Sequence, residues 1–238
     1  MDFNKIKNTV CRLAKVSELD ITLLDDKFVR INENGYHLTP WRYDRKLITL
    51  RNLGVIQNCL KTICSYKSSN VLNNNVDIDY ALFVELDVCE WILNDVITSV
   101  YALSNRNKTL SLILRTKKGV LCNIEISTTL ALDSTPIKRH EIVGREGMIS
   151  DRSINEQIPA KAVYLFNDNK GEPTTFTDVD SNMFGLTQEE VYVADNVLNI
   201  LSNKPFKNQV EDRINYLNGI LKCVKKSLET GEVQYVEV

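Results

Sequence analysis

Histidine, whose ordinary pKa suits proton transfer near neutral pH, is scarce in this sequence. The chain has two, His37 and His140. One further stretch, DYALFVELDVCEWIL (Asp79–Leu93), has a helical period that puts Tyr80, Val84 and Asp87 on one face. Groups of these types serve as general acids and bases when a site tunes them. A tyrosine phenol, with an unperturbed pKa of ~10, is a poor base without strong tuning. Asp87, Tyr80, His37 and His140 are therefore the polar candidates, and each also has a purely structural reading. His37 lies near a helix start, His140 stands between Arg139 and Glu141 as a face residue of a strand, and Asp87 can hydrogen-bond locally.

Other chemistries leave less trace. The cysteines Cys11, Cys59, Cys64, Cys89, Cys122 and Cys223 form no CxxC pair and have no histidine at metal-ligand spacing, so no metal site is expected. Most sit among apolar neighbours and read as reduced core thiols. The nine glycines contain no G-x-G-x-x-G, so no autonomous NAD or NADP site and no cofactor is expected.

Composition sets the frame. With 238 residues, 43% hydrophobic and 25% charged, the chain is long enough to bury a substantial core. Its 29 basic and 31 acidic residues give a net charge of −2, scattered rather than clustered, which excludes the footprint of a nucleic-acid binder. Lys222, Lys225 and Lys226 are the densest basic group and read as the solvated face of a helix. No apolar run approaches the ~18 residues of a membrane span, and the first residues lack a signal-peptide core, so a cytoplasmic location is expected.

Positioning these residues requires definite elements. Phe3, Ile6, Val10 and Leu13 predict an opening amphipathic helix from about Asp2 to Lys15. An extended KFVRI follows, then Thr39-Pro40 starts a helix through WRYDRKLITLRN that stops near Gly54. From Val55 the period changes to two: VIQNCLKTICSY, VITSVYALS, TLSLILRT and VLCNIEIST read as strands, with a hairpin at Lys117-Lys118-Gly119. KRHEIVG, GMIS, AVYLF and TTFTDV continue the sheet. Two helices close the chain. Thr187 and Glu190 have capping-box spacing for the first, whose buried side is read as Val191, Ala194, Val197, Leu198 and Leu201; Val210, Ile214, Leu217, Leu221, Val224 and Leu228 stripe the second. The expected class is α+β, with a large, mostly antiparallel open sheet covered by helices on one face. An N-terminal α/β piece, residues 1–54, precedes a domain over residues 55–238.

The order of these elements, with the strings NGYHLTPWRYDRKLITLRNLGVIQNCL, HEIVGREGMISD and KKSLETGEVQYVEV, resembles the C-terminal half of the glucose-fructose oxidoreductase and inositol dehydrogenase family. The resemblance covers roughly residues 3–238 and implies that residues 1–54 are the end of a Rossmann domain. Members are NAD(P)-dependent sugar and polyol dehydrogenases with a G-x-G-x-x-G turn and a Glu-Lys-Pro lysine, neither of which occurs here. In the family, the helix matching Asp79–Leu93 carries His-x-x-Asp. Asp87 matches its aspartate, and Val84 stands in the histidine's place. Glu85 cannot simply substitute, because adjacent residues project ~100° apart around a helix. His37 and Leu38 occupy the family's arginine-aromatic positions.

The resemblance therefore implies a non-catalytic dehydrogenase-like domain that works as a binding or assembly module. It implies a homodimer or tetramer through the open sheet face, and a full-length relative as a further partner. The competing expectation is an NAD(P)-dependent oxidoreductase subunit whose nucleotide site another chain supplies. No nucleic acid or membrane partner is expected.

Overall fold

The computed structural model describes residues 1–15, 21–23, 27–31, 34–106, 108–152, 162–167, 173–177, 185–203 and 207–237. The fold is α+β, and the chain divides into two compact units, Met1–Leu47 with Asp178–Ile214, and Ile48–Thr177 with Asn215–Val238.

In the first unit, α1 (Phe3–Ala14) is capped by Asp2, whose carboxylate accepts from Lys5 N at 3.1 Å, and ends where Lys15 turns left-handed at φ 55°. Three strands follow, β1 (Ile21–Leu23), β2 (Phe28–Ile31) and β3 (Asn34–His37), forming a small antiparallel sheet where the sequence reading had one extended piece. Pro40–Tyr43 is a 3₁₀ turn, and α2 (Arg45–Arg51) begins after it. Helix α4 (Gln188–Asn203) belongs to this unit and shares a core with Ile6, Val10, Ile21, Val29, Ile31 and Leu38. Its capping box forms as expected: Thr187 N donates to Glu190 Oε2 at 2.8 Å and Glu190 N donates to Thr187 Oγ1 at 3.4 Å. Its most buried apolar residues are Val193, Ala194, Val197 and Ile200, with Val191, Leu198 and Leu201 half-buried at the margin.

The second unit carries the large sheet. Its strands are β4 (Ile63–Asn73), β5 (Ile97–Asn105), β6 (Thr109–Thr116), β7 (Leu121–Leu130), β8 (Ile137–Gly144), β9 (Gly147–Ser150), β10 (Ala162–Asn167), β11 (Thr174–Thr177) and β12 (Gln234–Tyr235), in the order β11-β10-β9-β8-β4-β7-β6-β5-β12. Helix α3 (Ile78–Leu93) follows β4, and α5 (Lys207–Thr230) precedes β12.

The sheet is mixed, which corrects the mostly antiparallel expectation. β4 lies parallel to β7, with Ser68 opposite Ile124, and antiparallel to β8 on its other side, with Ser68 opposite His140. The cause is the connection after β4: the chain runs into α3 instead of a hairpin, and β5 and β6 are laid down before β7 takes the place beside β4.

The first strand also begins later than its period suggested. Residues 52–56 extend α2 as one wider π-helical turn, in which Gln57 N bonds Asn52 O at 2.7 Å. Asn58 and Lys61 then take positive φ values of 52° and 58°, which no strand tolerates, so β4 starts only at Ile63. Gly54 is needed for contact rather than for a left-handed stop: a Cβ there would lie 3.1 Å from Ile142 Cδ1.

The alternation read in β7 holds. Cys122, Ile124 and Ile126 are buried, as are Leu110, Leu112 and Leu114 on β6. Helix α3 lies against β7 and buries residues around most of its circumference. Helix α5 buries Leu217, Ile220, Val224 and Ser227, while Ile214, Leu221 and Leu228 are half-buried; the side chain of Val210 falls outside the described residues. Tight turns need glycine twice. Gly119 closes the β6–β7 hairpin at φ 88°, and Gly147 opens β9 at φ 138°, where a Cβ would run into the Phe166 carbonyl. Among the described residues, no helix is long and apolar enough to cross a membrane.

Candidate functional site

Helix α3 is capped at Asp77, whose carboxylate accepts from Asp79 N at 3.0 Å, and ends at Asn94 with φ 48°. Along it Glu85, Asp87 and Glu90 are all buried. A carboxylate taken out of water must be hydrogen-bonded or paired. Glu90 Oε1 accepts from Ile97 N at 2.6 Å and from Tyr216 Oη at 2.7 Å, joining α3 to the start of β5 and to α5.

Glu85 faces the sheet. Its Oε2 accepts from Ser68 Oγ at 2.6 Å and lies 3.4 Å from Nε2 of His140. On the opposite side of the imidazole, Nδ1 is 3.0 Å from Asp151 Oδ2, while Asp151 Oδ1 accepts from the His140 backbone N–H at 2.5 Å. Asp151 N in turn donates to the His140 carbonyl at 3.1 Å. Asn70 donates to Ser68 Oγ at 3.2 Å, and the Tyr66 ring lies 6.5 Å from the imidazole, centroid to centroid. The cluster is sealed: Ser68, Asn70, Glu85, His140, Asp151 and Tyr66 are each at most 5% exposed.

Burial alone would lower the His140 pKa, but the charges of Asp151 and Glu85 outweigh it and raise the value to about 10. Burial likewise pushes the Glu85 carboxyl up, and the imidazolium with the Ser68 hydroxyl brings it below its ordinary value. Both groups are therefore ionised at neutral pH, and the core holds one cation between two carboxylates. The Nδ1 contact is a charge-assisted hydrogen bond. The Nε2 contact lacks hydrogen-bond geometry, and its attraction is mainly Coulombic. Among the described residues, Tyr66 Oη and Asn70 Oδ1 have no hydrogen-bond partner, and the Tyr66 phenol is held well above its ordinary pKa by burial and by the nearby Glu85 charge.

This arrangement decides what the polar candidates can do. His140 is not a residue of the outer face, as its neighbours Arg139 and Glu141 suggested. It shares strand parity with Ile142 and points into the core, and that parity was the readable signal. A protonated, water-excluded imidazolium cannot take a proton from a substrate it does not meet. Asp87 lies two residues from Glu85, roughly 200° around the helix, and Tyr80 five residues away, roughly 140°, so their face is not the one His140 meets. Asp87 is buried and engaged within the protein; Tyr80 and Val84 are half-buried. His37 belongs to the other unit, where it is exposed on β3 and meets Phe28 edge-on at 5.0 Å between centroids. Glu85, Ser68 and Asp151 were missed as site residues because their meeting requires α3, β4, β8 and the end of β9 together. Among the described residues, no group of three or more His, Cys, Asp or Glu is arranged to hold a metal ion.

A second feature lies on the sheet's other face. Leu103, Ile113, Leu121 and Tyr235 are 52%, 45%, 55% and 79% exposed, each alternating with buried neighbours or paired with an outward residue. Beside them a row of paired positions, Arg139, Ser69, Glu125 and Ser111, crosses four strands and is polar throughout.

No protein-family model and no curated protein matches the chain. Solved structures do. An oxidoreductase domain protein from Kribbella flavida superposes with a TM-score of 0.62 at 13% identity, covering 84% of this chain and 65% of its own. Levoglucosan dehydrogenase in complex with NADH and levoglucosan gives the same TM-score, identity and coverage. An oxidoreductase from Agrobacterium radiobacter in complex with NAD+, L-tartaric acid and magnesium gives 0.62 at 13% identity, covering 83% of this chain and 64% of its own. The chain thus spans less than two thirds of the length of the structures it matches. At such identities the likeness establishes the fold: this chain has a fold shared with dehydrogenase-type oxidoreductases, consistent with the resemblance drawn from its sequence.

Proposed function

We propose that this chain is a non-catalytic, dehydrogenase-like domain that serves as an assembly module and pairs with copies of itself through the open face of its large sheet. The observation that carries the reading is the exposure of Leu103, Ile113, Leu121 and Tyr235 on that face, while α3 packs on the opposite face against β7. A broad, partly apolar sheet face is a surface that association removes from water. Two such faces together bury ~2,000 Å² in all, the size class of a lasting homodimer, and a patch that meets its own copy closes with twofold symmetry.

The non-catalytic half of the reading is supported by Val84, which takes the place of the family's acid/base histidine on α3, and by the sealed state of His140. Light scattering at micromolar concentration should report a dimer or tetramer. A single species of 27.2 kDa that persists at high concentration overturns the proposal.

A second reading is favoured by the fold shared with a levoglucosan dehydrogenase bound to NADH. On this reading the chain is a subunit of an NAD(P)-dependent sugar or polyol oxidoreductase whose nucleotide site comes from another chain, such as a full-length relative. Turnover of polyols or sugars that requires both chains would select it.

A further inference from the structure

The large sheet is unequal along its width. β4 to β7 are long strands of 8 to 11 residues, whereas β9, β10 and β11 have 4, 6 and 4. The hairpin joining this short-stranded end to the rest pairs only Glu141 to Gly144 with Ser150 to Gly147. Short strands with few ladder bonds make the least stable part of a sheet. Directly beyond that hairpin stands Asp151, which grips His140 through its carboxylate and its backbone N–H. His140 passes the connection to Glu85 on α3, and Glu85 passes it to Ser68 on β4.

We propose that Asp151, His140 and Glu85 form an electrostatic clasp that fastens the β9–β11 end of the sheet to the α3–β4 core, and that this end opens ahead of the rest when the imidazolium loses its proton.

The charge arithmetic supplies the reason. Groups facing the cluster are Glu85 and Cys89 from α3, Tyr66 from β4, Cys122 from β7, Lys138 from β8 and Asp151 from the end of β9. Burial, before any other cause, keeps the Tyr66 phenol neutral, and the free Cys89 thiol is raised well above its ordinary value first by its hydrogen bond with the Cys122 thiol and then by burial. Lys138 is exposed and acts on Glu85 from a distance. His140 is thus a buried cation held between two carboxylates. When its proton passes to solvent hydroxide, both carboxylates remain buried with their shared counter-charge gone. Opening the β9 end returns Asp151 to water and relieves that state, whereas β5–β7 carry no part of the clasp.

Hydrogen exchange of the whole chain, resolved by segment and corrected for the intrinsic base-catalysed rate, tests this. Between about pH 7 and about pH 10.5, protection in Gly147–Ser150 and Ala162–Asn167 should fall at least tenfold more, roughly, than in Thr109–Thr116 and Leu121–Leu130. His140→Gln, which cannot titrate, should show low protection at that end already at neutral pH, with no further differential loss. An equal fall across the sheet, an unchanged β9–β11 end, or a His140→Gln variant that keeps the differential overturns the proposal. Should the variant not fold, the wild-type imidazole resonances decide. His140 must stay protonated above about pH 9, and its titration near ~6.5 overturns the proposal equally.

Discussion

Asp151 holds His140 by three hydrogen bonds at once: its Oδ1 takes the backbone N–H at 2.5 Å, its Oδ2 meets Nδ1 at 3.0 Å, and its own N–H reaches the His140 carbonyl at 3.1 Å. Both main chain and ring are thereby fixed, so the imidazole can face Glu85 in only one orientation.

The first prediction concerns pH and stability. His140 has a folded-state pKa raised to about 10, against ~6.5 for an unfolded chain. Its contribution is complete below ~6.5 and is lost as pH rises through the folded value, at up to ~1.4 kcal/mol per pH unit. Glu85, whose pKa is lowered, contributes above the ordinary carboxyl range and loses its contribution as pH falls through its folded value. Urea unfolding should therefore show declining stability from neutral to alkaline pH, with an unchanged profile in His140→Gln counting against the assignment.

Cutting the cluster from the helix side should be costly. Glu85→Ala leaves the buried imidazolium with one carboxylate and Ser68 Oγ without its acceptor, a loss of ~3–5 kcal/mol. Ser68→Ala removes the hydrogen bond to the Glu85 carboxylate and the acceptor of Asn70 Nδ2, leaves both charges paired, and should cost ~1–3 kcal/mol. Chemical denaturation midpoints rank the two; equal and small effects would mean that the cluster is not coupled as its distances indicate.

Val84→His should not confer dehydrogenase activity. The substitution introduces a general acid/base worth ~10²–10⁴ in rate, but hydride chemistry is supplied by a bound nicotinamide that protein groups must place. Assays with NAD or NADP against sugars and polyols should stay at background, and turnover in the variant would reveal a working cofactor site on this chain.

Charges placed on the open sheet face should separate subunits without unfolding them. Ile113→Glu and Leu121→Glu put like charges on positions 45% and 55% exposed, where the isolated fold tolerates them. Sedimentation should shift toward the single-chain mass while circular dichroism stays unchanged. Full-size assemblies in both variants would move the contact to another surface.

Much of the fold was legible because periodicity reports which face of an element is apolar. TLSLILRT and the alternation through Cys122, Ile124 and Ile126 marked β6 and β7, Lys117-Lys118-Gly119 marked their hairpin, and Thr187 with Glu190 marked the start of α4. These are local properties, set by backbone geometry and side-chain spacing within a few residues. The same local reading erred at Val55–Thr62, where a two-residue period disguised a π turn and two left-handed residues.

Which side chain stands at each position of α3, Val84 and Asp87 included, was equally plain from the sequence. It did not disclose the partners of the buried acids. Strand order is a nonlocal choice: only when α3 carries the chain away from β4, and β7 and β8 close on either side, does Ser68 come to lie opposite His140. Glu85 and His140 are 55 positions apart in the chain, and Asp151 lies beyond a separate hairpin. Sealing them from water makes His140, which its neighbours Arg139 and Glu141 mark only as a face residue of a strand, a buried imidazolium. Charge state depends on solvent exclusion and on the nearest opposite charges, and both are set by tertiary packing.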